Sequence, residues 1–415
     1  MKVLMLGWEF PPFYAGGVGI VCYELTRALL NIPNIEITYI MPYGPNSQEN
    51  RFGVNLLFAN HIKTKKLKVS NIDSSLYAYD SPKQYVSRLR SLLEENIEGG
   101  PNKPIKEIYG KNIIEEVYLY AKRVAKLCHD MDFDVIHAHD WTTIPAAFLL
   151  KELTGKPVVL HVHITELNKT GGAGAHKKVF QIEKYGFQNA DLCIAVSHKI
   201  KDMMISRYGV DSNKTTVIHN GGVSDLRKFK SEKDYSNGKT KKVLFAGRVT
   251  LQKGPEYFVK AAKRVLEHEP NTIFIFAGSG DLLERMIHLA NELGIAEKFI
   301  FHGFYTRKEA ERFFSEADVF VMPSVSEPFG IVPLEAVSKG TPTIISKQSG
   351  ISEVLENTFK VDFWDVDEMA NKIIGLLRYK PLHSTMSERA FKEYDTFSWD
   401  SRAYKVLNTY RKVLE

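Results

Sequence analysis

At 415 residues, 44% hydrophobic and 25% charged, the chain exceeds what one core holds and reads as two ordinary globular domains. Its 55 basic and 49 acidic side chains leave +6, scattered along the sequence, which argues against a nucleic-acid partner and favours anionic substrates or a membrane surface. Only Cys22, Cys128 and Cys193 occur, which argues for buried reduced thiols in a cytosolic protein rather than a disulfide framework.

The opening run Met1-Lys2-Val3-Leu4-Met5-Leu6-Gly7 is too short for a signal peptide and is followed at once by Trp8-Glu9. It predicts a first buried strand over 2–7. Further short apolar runs predict strands at 35–41, 134–138, 157–163 and 192–196, then at 242–247, 272–277, 298–302, 318–322 and 342–346. Amphipathic helical patterns lie between them, the signature of parallel sheets built from βα units. Residues 224–242 are polar and without periodicity, so they read as a linker between a domain at 1–223 and another at 243–397. Residues 398–415 predict one amphipathic helix that packs back on the first domain. The expected fold class is α/β, two doubly wound Rossmann-like domains facing a central cleft, with ligands at the carboxyl ends of the strands. Residues 44–110 interrupt the alternation, and acceptor recognition and a solvated excursion fit that segment equally. No window approaches the ~18 apolar residues of a membrane span, which leaves peripheral membrane contact open.

Between the first strand and a helix carrying Glu24, Leu25, Ala28 and Leu29 lies Glu9-Phe10-Pro11-Pro12-Phe13-Tyr14-Ala15-Gly16-Gly17-Val18-Gly19. Glycines there let backbone N–H groups approach a phosphate at a helix N-terminus, although a purely structural turn has the same composition. Asp134-Val135-Ile136-His137-Ala138-His139-Asp140-Trp141 carries two histidines and an aspartate at a strand end. No third ligand cluster accompanies them, so packing around the cleft is preferred over a metal, with Asp140 and Trp141 as candidate acceptor contacts. In Val158-Val159-Leu160-His161-Val162-His163-Ile164-Thr165-Glu166, alternation puts His161 and His163 on one face, so position alone does not choose between them.

In the second half, Leu244-Phe245-Ala246-Gly247-Arg248 ends a strand and Lys253-Gly254-Pro255-Glu256 opens a helix. Arginine forks onto two phosphate oxygens and lysine adds a mobile point charge, while a solvated loop pair is the plain alternative. Ser326-Glu327-Pro328-Phe329-Gly330-Ile331-Val332-Pro333-Leu334-Glu335 holds two carboxylates separated by seven residues. On one helix they would lie ~80° apart. Pro328 and Gly330 instead place Glu327 on a loop and Glu335 in the following helix, whose first turn tolerates Pro333. The N-terminus of that helix would then face a diphosphate.

The order of these motifs resembles the nucleotide-sugar-dependent glycosyltransferases that include glycogen and starch synthases and related bacterial and archaeal retaining enzymes of the GT-B fold. The resemblance spans nearly the whole chain. It takes in Ala195-Val196-Ser197, Val217-Ile218-His219-Asn220-Gly221, Gly278-Ser279-Gly280, Pro323-Ser324 and Phe397-Ser398-Trp399 as well as the segments above. It implies a metal-independent hexosyltransferase without a cofactor, in which Arg248 and Lys253 stabilise the departing diphosphate, Glu327 binds donor-sugar hydroxyls and Glu335 the ribose. Gly17 would offer its N–H to phosphate, His163 would sit beneath the sugar with its backbone carbonyl, and Tyr305 or Phe304 would stack on the base. Gly247, Gly330, Ile331 and Val332 would line the donor, and Glu166 would stand on the acceptor side.

Bacterial ADP-glucose glucan synthases usually have lysine two residues before the paired glycines, where this chain has Tyr14 followed by Ala15. The departure leaves ADP and UDP both open. The leading expectation is a retaining transfer of glucose from ADP- or UDP-glucose to an α-glucan. The alternatives are a transferase acting on a lipid, polysaccharide precursor or small molecule, a nucleotide-sugar 2-epimerase, and a silent glucan-binding protein.

Overall fold

The computed structural model describes residues 1–11, 13, 16–44, 49–51, 53–61, 113–170, 174–223 and 240–415. They fall into two compact units, one of Met1–Glu166, Ala175–His219 and Trp399–Glu415, the other of Leu167–Gly174 and Asn220–Ser398.

The first unit is built on β1 (Lys2–Leu6), β2 (Glu36–Met41), β3 (Glu49–Arg51), β4 (Val54–Phe58), β5 (Val135–His139), β6 (Val158–Val162), β7 (Leu192–Ala195) and β8 (Thr215–Val217). They form one sheet in the order β3-β4-β2-β1-β5-β6-β7-β8. Every pairing is parallel except the antiparallel β3–β4 contact. Strands buried on both faces are largely apolar, and VVLHV, with His161 as its one polar residue, and LCIA are fully buried along their length. Helix α1 (Gly17–Leu30) follows β1 and α2 (Ile113–Cys128) precedes β5. On α2 the buried Ile113, Val117, Tyr120 and Val124 recur at helical spacing and make the stripe that faces the core. The C-terminal helix Trp399–Leu414 buries Trp399, Ala403, Val406 and Tyr410 and packs against α1.

The second unit holds β9 (Lys241–Ala246), β10 (Thr272–Ala277), β11 (Phe299–Gly303), β12 (Val319–Met322), β13 (Thr343–Ser346) and β14 (Phe359–Val361) in the wholly parallel order β11-β10-β9-β12-β13-β14. Its core is aromatic: Phe245, Phe258, Phe274 and Phe276 are buried together with Val321 and Ile373. In each sheet the chain runs outward to one side and then returns to start on the other. The reversal falls between β1 and β5 in the first unit and between β9 and β12 in the second. Open parallel sheets bind ligands outside the carboxyl ends of the strands at such points.

All ten expected strands are present, with ends shifted by a residue or so. Residues 44–110 do not simply interrupt the pattern: Val54–Phe58 pairs in parallel with β2, placing Leu56 opposite Tyr39. One short run, VNLLF, interrupted by Asn55, shows neither a continuous apolar stretch nor the alternation that would betray it. Residues 62–112, where acceptor recognition was expected, lie outside the described residues, as do Tyr14, Ala15 and linker residues 224–239. Lys241 and Lys242 belong to β9 rather than the linker, because backbone pairing to Thr272 and Ile273 does not depend on apolar side chains. Residues 220–223 fall in the second unit, where Gly222 donates to the Phe397 carbonyl (2.9 Å) and Tyr394 donates to the Val223 carbonyl (2.7 Å).

Candidate functional site

In the second unit, β9 ends at Ala246 and turns through Gly247, whose φ of 150° suits a residue without a side chain. Arg248 follows and is exposed. A short 3₁₀ turn, Leu251–Lys253, leads to Gly254 at φ 61°, and any Cβ there would lie 2.1 Å from the Pro323 carbonyl oxygen. Glycine therefore permits the loop after β9 to press against the loop after β12. Gln252 completes that contact, its carbonyl accepting from Val325 N–H (2.9 Å).

The consequence is an ion pair between Lys253 Nζ and Glu327 Oε2, with side chains only 17% and 9% exposed. Glu327 is held from both sides: its N–H donates to the Gln348 carbonyl (3.2 Å) and its carbonyl accepts from Gly350 (2.9 Å). A largely buried ion pair adds little to folding, since desolvation offsets most of its Coulomb attraction.

Gly330, at φ 93°, turns the chain into the six-residue helix Val332–Val337, with Ile331 at its N-cap and Pro333 in its first turn. Glu327 thus lies in the loop and Glu335 in the helix. Burial raises the Glu335 carboxyl to about 7, against a lowering influence from Arg307. The Tyr305 phenol is also raised, first by burial and then by the charge of Glu335, so these two share one neighbourhood. Phe304 beside it is exposed.

In the first unit, β5 ends at His139 and Asp140 takes a left-handed φ of 58°, which aspartate tolerates better than most residues. That turn aims its carboxylate across the neighbouring strand end. Oδ1 accepts from His163 N–H (2.7 Å) and Ile164 N–H (3.3 Å), while Asp140 N–H donates to the His161 carbonyl (3.0 Å). The loop carrying His163 is therefore fixed by Asp140. Trp141 is buried. Glu166 Oε1 accepts from His176 N–H (3.1 Å), and the Glu166 N–H donates to buried Glu183 (2.8 Å). Gly17 opens α1 and is exposed, whereas the N–H of Gly16 donates to Glu9 Oε2 (3.3 Å).

Four imidazoles line this strand end. His137 and His139 on β5 stack at 4.4 Å between centroids, as do His161 and His163. His139 Nδ1 lies 2.9 Å from His163 Nε2 and His137 Nε2 lies 3.3 Å from His161 Nδ1. Burial lowers all four, His137 and His163 to about 3, so the array is neutral near pH 7. A neutral His163 ring supplies no positive charge to a phosphate.

A Glycosyltransferase Family 4 model matches residues 15–222 and a Glycosyl transferases group 1 model matches residues 227–393. The chain is a GT-B glycosyltransferase. An uncharacterized glycosyltransferase of Methanocaldococcus jannaschii is 28% identical over 434 residues, spanning 100% of this chain and 99% of that protein. A glycogen synthase of Mycobacterium tuberculosis is 25% identical over 369 residues, 86% of this chain and 80% of its own length. Among solved structures, that of Anabaena HepE in complex with UDP and glucose has the same fold, with a TM-score of 0.70 at 17% identity, covering 99% of this chain and 100% of that one.

Sequence reasoning about the glycosyltransferase passed over three residues. Glu9, 4% exposed behind the glycine loop, was visible as a carboxylate within that motif. Tyr410 hydrogen-bonds to His137 Nδ1 from the far end of the chain, and Cys22 lies near the imidazoles. Both belong to regular helical stripes, and nothing in their spacing sets them apart from core residues. Among the described residues, no helix is long and apolar enough to cross a membrane.

Proposed function

We propose that this glycosyltransferase moves glucose, with retention of anomeric configuration and without a metal, from ADP- or UDP-glucose to an α-glucan in the cytoplasm. The observation that carries the donor assignment is the Lys253–Glu327 pair beside Gly247, Gly254 and Gly330, at the reversal point between β9 and β12. In this reading Arg248 and Lys253 neutralise the departing diphosphate, as preorganised cations do for developing charge. Glu327 releases Lys253 to phosphate and takes up sugar hydroxyls. Glu335 accepts from the ribose, Tyr305 stacks on the base, and Ile331 and Val332 cover the nucleotide.

On the first unit, Gly17 offers an N–H to phosphate and the His163 carbonyl supports positive character at the anomeric carbon. Asp140, Trp141 and Glu166 border the acceptor. The similarity to a glycogen synthase and the fold shared with a protein holding UDP and glucose support glucose and a glucan. The test is transfer from a panel of nucleotide sugars, with and without glycogen or maltooligosaccharide, with product anomers read by NMR. Elongation of the glucan with retained configuration supports the assignment. Donor turnover only with a lipid or small acceptor moves it to that acceptor class, and an inverted product overturns the stereochemistry.

A further inference from the structure

The imidazole array holds more ring nitrogens than its hydrogen bonds use. His139 Nε2, His161 Nε2 and His163 Nδ1 are buried without a hydrogen-bond partner, and such orphaned groups in a folded protein call for an explanation. Beside them lies Cys22 on α1, a free thiol only 1% exposed. One donor atom from each of Cys22, His139 and His163 lies within 4.8 Å of the others. A second triad, His137, His139 and His161, meets the same limit. Its His137 already uses both nitrogens, one on Tyr410 and one on His161. In the first triad the converging nitrogens are His139 Nδ1 and His163 Nε2, 2.9 Å apart, whose mutual hydrogen bond the ion would replace, and Cys22 adds sulfur.

We propose that Cys22, His139 and His163 bind one thiolate-preferring divalent ion of the zinc type, and that its occupancy blocks sugar transfer. Two imidazoles and one thiolate are a ligand set that zinc accepts, leaving a fourth position for water. Bond lengths of about 2.0–2.1 Å to nitrogen and about 2.3 Å to sulfur put tetrahedral donor atoms about 3.3–3.6 Å apart, so rotation about χ angles must part the two imidazole nitrogens slightly and set the Cys22 sulfur at that distance from both. Burial already keeps both rings in the neutral form that ligates. The Cys22 thiol is held protonated by the same burial, so the ion must displace that proton to solvent and affinity must rise with pH. The blocking half rests on the transferase reading, because His163 is the residue placed beneath the sugar. The binding half does not.

The experiment titrates the full chain with Zn²⁺ alone by calorimetry and with Co²⁺ by absorption. Cys22→Ser and the exposed-site control His288→Ala are run alongside, and circular dichroism reports on folding. The expected result is one equivalent bound, with a thiolate-to-cobalt charge-transfer band in the near ultraviolet. Changes to groups behind a metal ligand weaken affinity 10–100-fold, so Cys22→Ser should lose the band and at least about tenfold in affinity. His288→Ala should match the parent.

In the transfer assay, Zn²⁺ should inhibit the parent over the same concentration range. Cys22→Ser should keep its metal-free rate and resist inhibition at least about tenfold. Absence of saturable binding, or binding and band unchanged in folded Cys22→Ser, overturns the site. Binding without inhibition overturns the blocking. A Cys22-dependent band in a protein that turns over no nucleotide sugar supports the site and sinks the transferase reading instead.

Discussion

Replacing Glu335 by Gln should stabilise the protein above neutrality, although it removes a group assigned to the donor site. Burial lifts the folded-state carboxyl to about 7 from an ordinary value of 4.5. At 1.36 kcal/mol per unit that displacement corresponds to roughly 3 kcal/mol, and the solvent contact Glu335 retains reduces it to about 1–3 kcal/mol. The sign follows from proton affinity: the folded state binds this proton more tightly than the unfolded chain does. The associated stability is fully present below about pH 4.5, is lost as pH rises toward 7, and stays lost above it. The amide of the Glu335→Gln variant does not ionise and keeps that stability throughout.

Urea denaturation of the two proteins at pH 4.5, 6 and 8 reads the difference as a shift in midpoint at constant slope. The variant should equal the parent at pH 4.5 and exceed it by about 1–3 kcal/mol at pH 8, while binding nucleotide more weakly. Equal stability at pH 8, or a gap independent of pH, would refute the buried-carboxylate argument.

Asp140→Ala removes an ionised acceptor from two backbone N–H groups and should cost about 2–4 kcal/mol of stability and lower turnover, since each such bond contributes about 1.5–3 kcal/mol. Asp140→Asn keeps an acceptor and tolerates the left-handed backbone, so its loss should stay near 1 kcal/mol with turnover largely restored; equal damage in both variants would remove the positioning role. Arg248→Ala and Lys253→Ala should each reduce turnover ~10²-fold or more, as removal of one oxyanion-stabilising donor does, and wild-type rates in either would dismiss its contact with the diphosphate. Exhaustive EDTA treatment should leave transfer intact, and a loss restored by Mg²⁺ would contradict metal-free departure of the nucleotide. Tyr410→Phe should cost about 1 kcal/mol through its lost bond to His137 without changing KM for the donor, and a changed KM would show that the C-terminal helix reaches the substrate.

Sequence alone determined the repeating βα order, because parallel strands buried on both faces must be written as near-continuous apolar runs such as Leu192–Ala195. It also located the strand ends, since Gly247, Lys253, Glu327 and His163 lie just beyond those runs and break them with glycine and polar side chains. Strands carrying a weaker apolar signal, β8 and β14 among them, escaped that reading because their place is set by the strand already beside them. Tertiary structure decided which distant residues meet. Lys253 reaches Glu327 across 74 positions only because Gly254 lets one loop pass against the Pro323 carbonyl. It also decided charge state: four histidines look alike in sequence as possible cations, and burial in one stack makes them neutral. Periodicity records what each segment must bury, whereas proton affinity and contact depend on what the rest of the chain brings alongside.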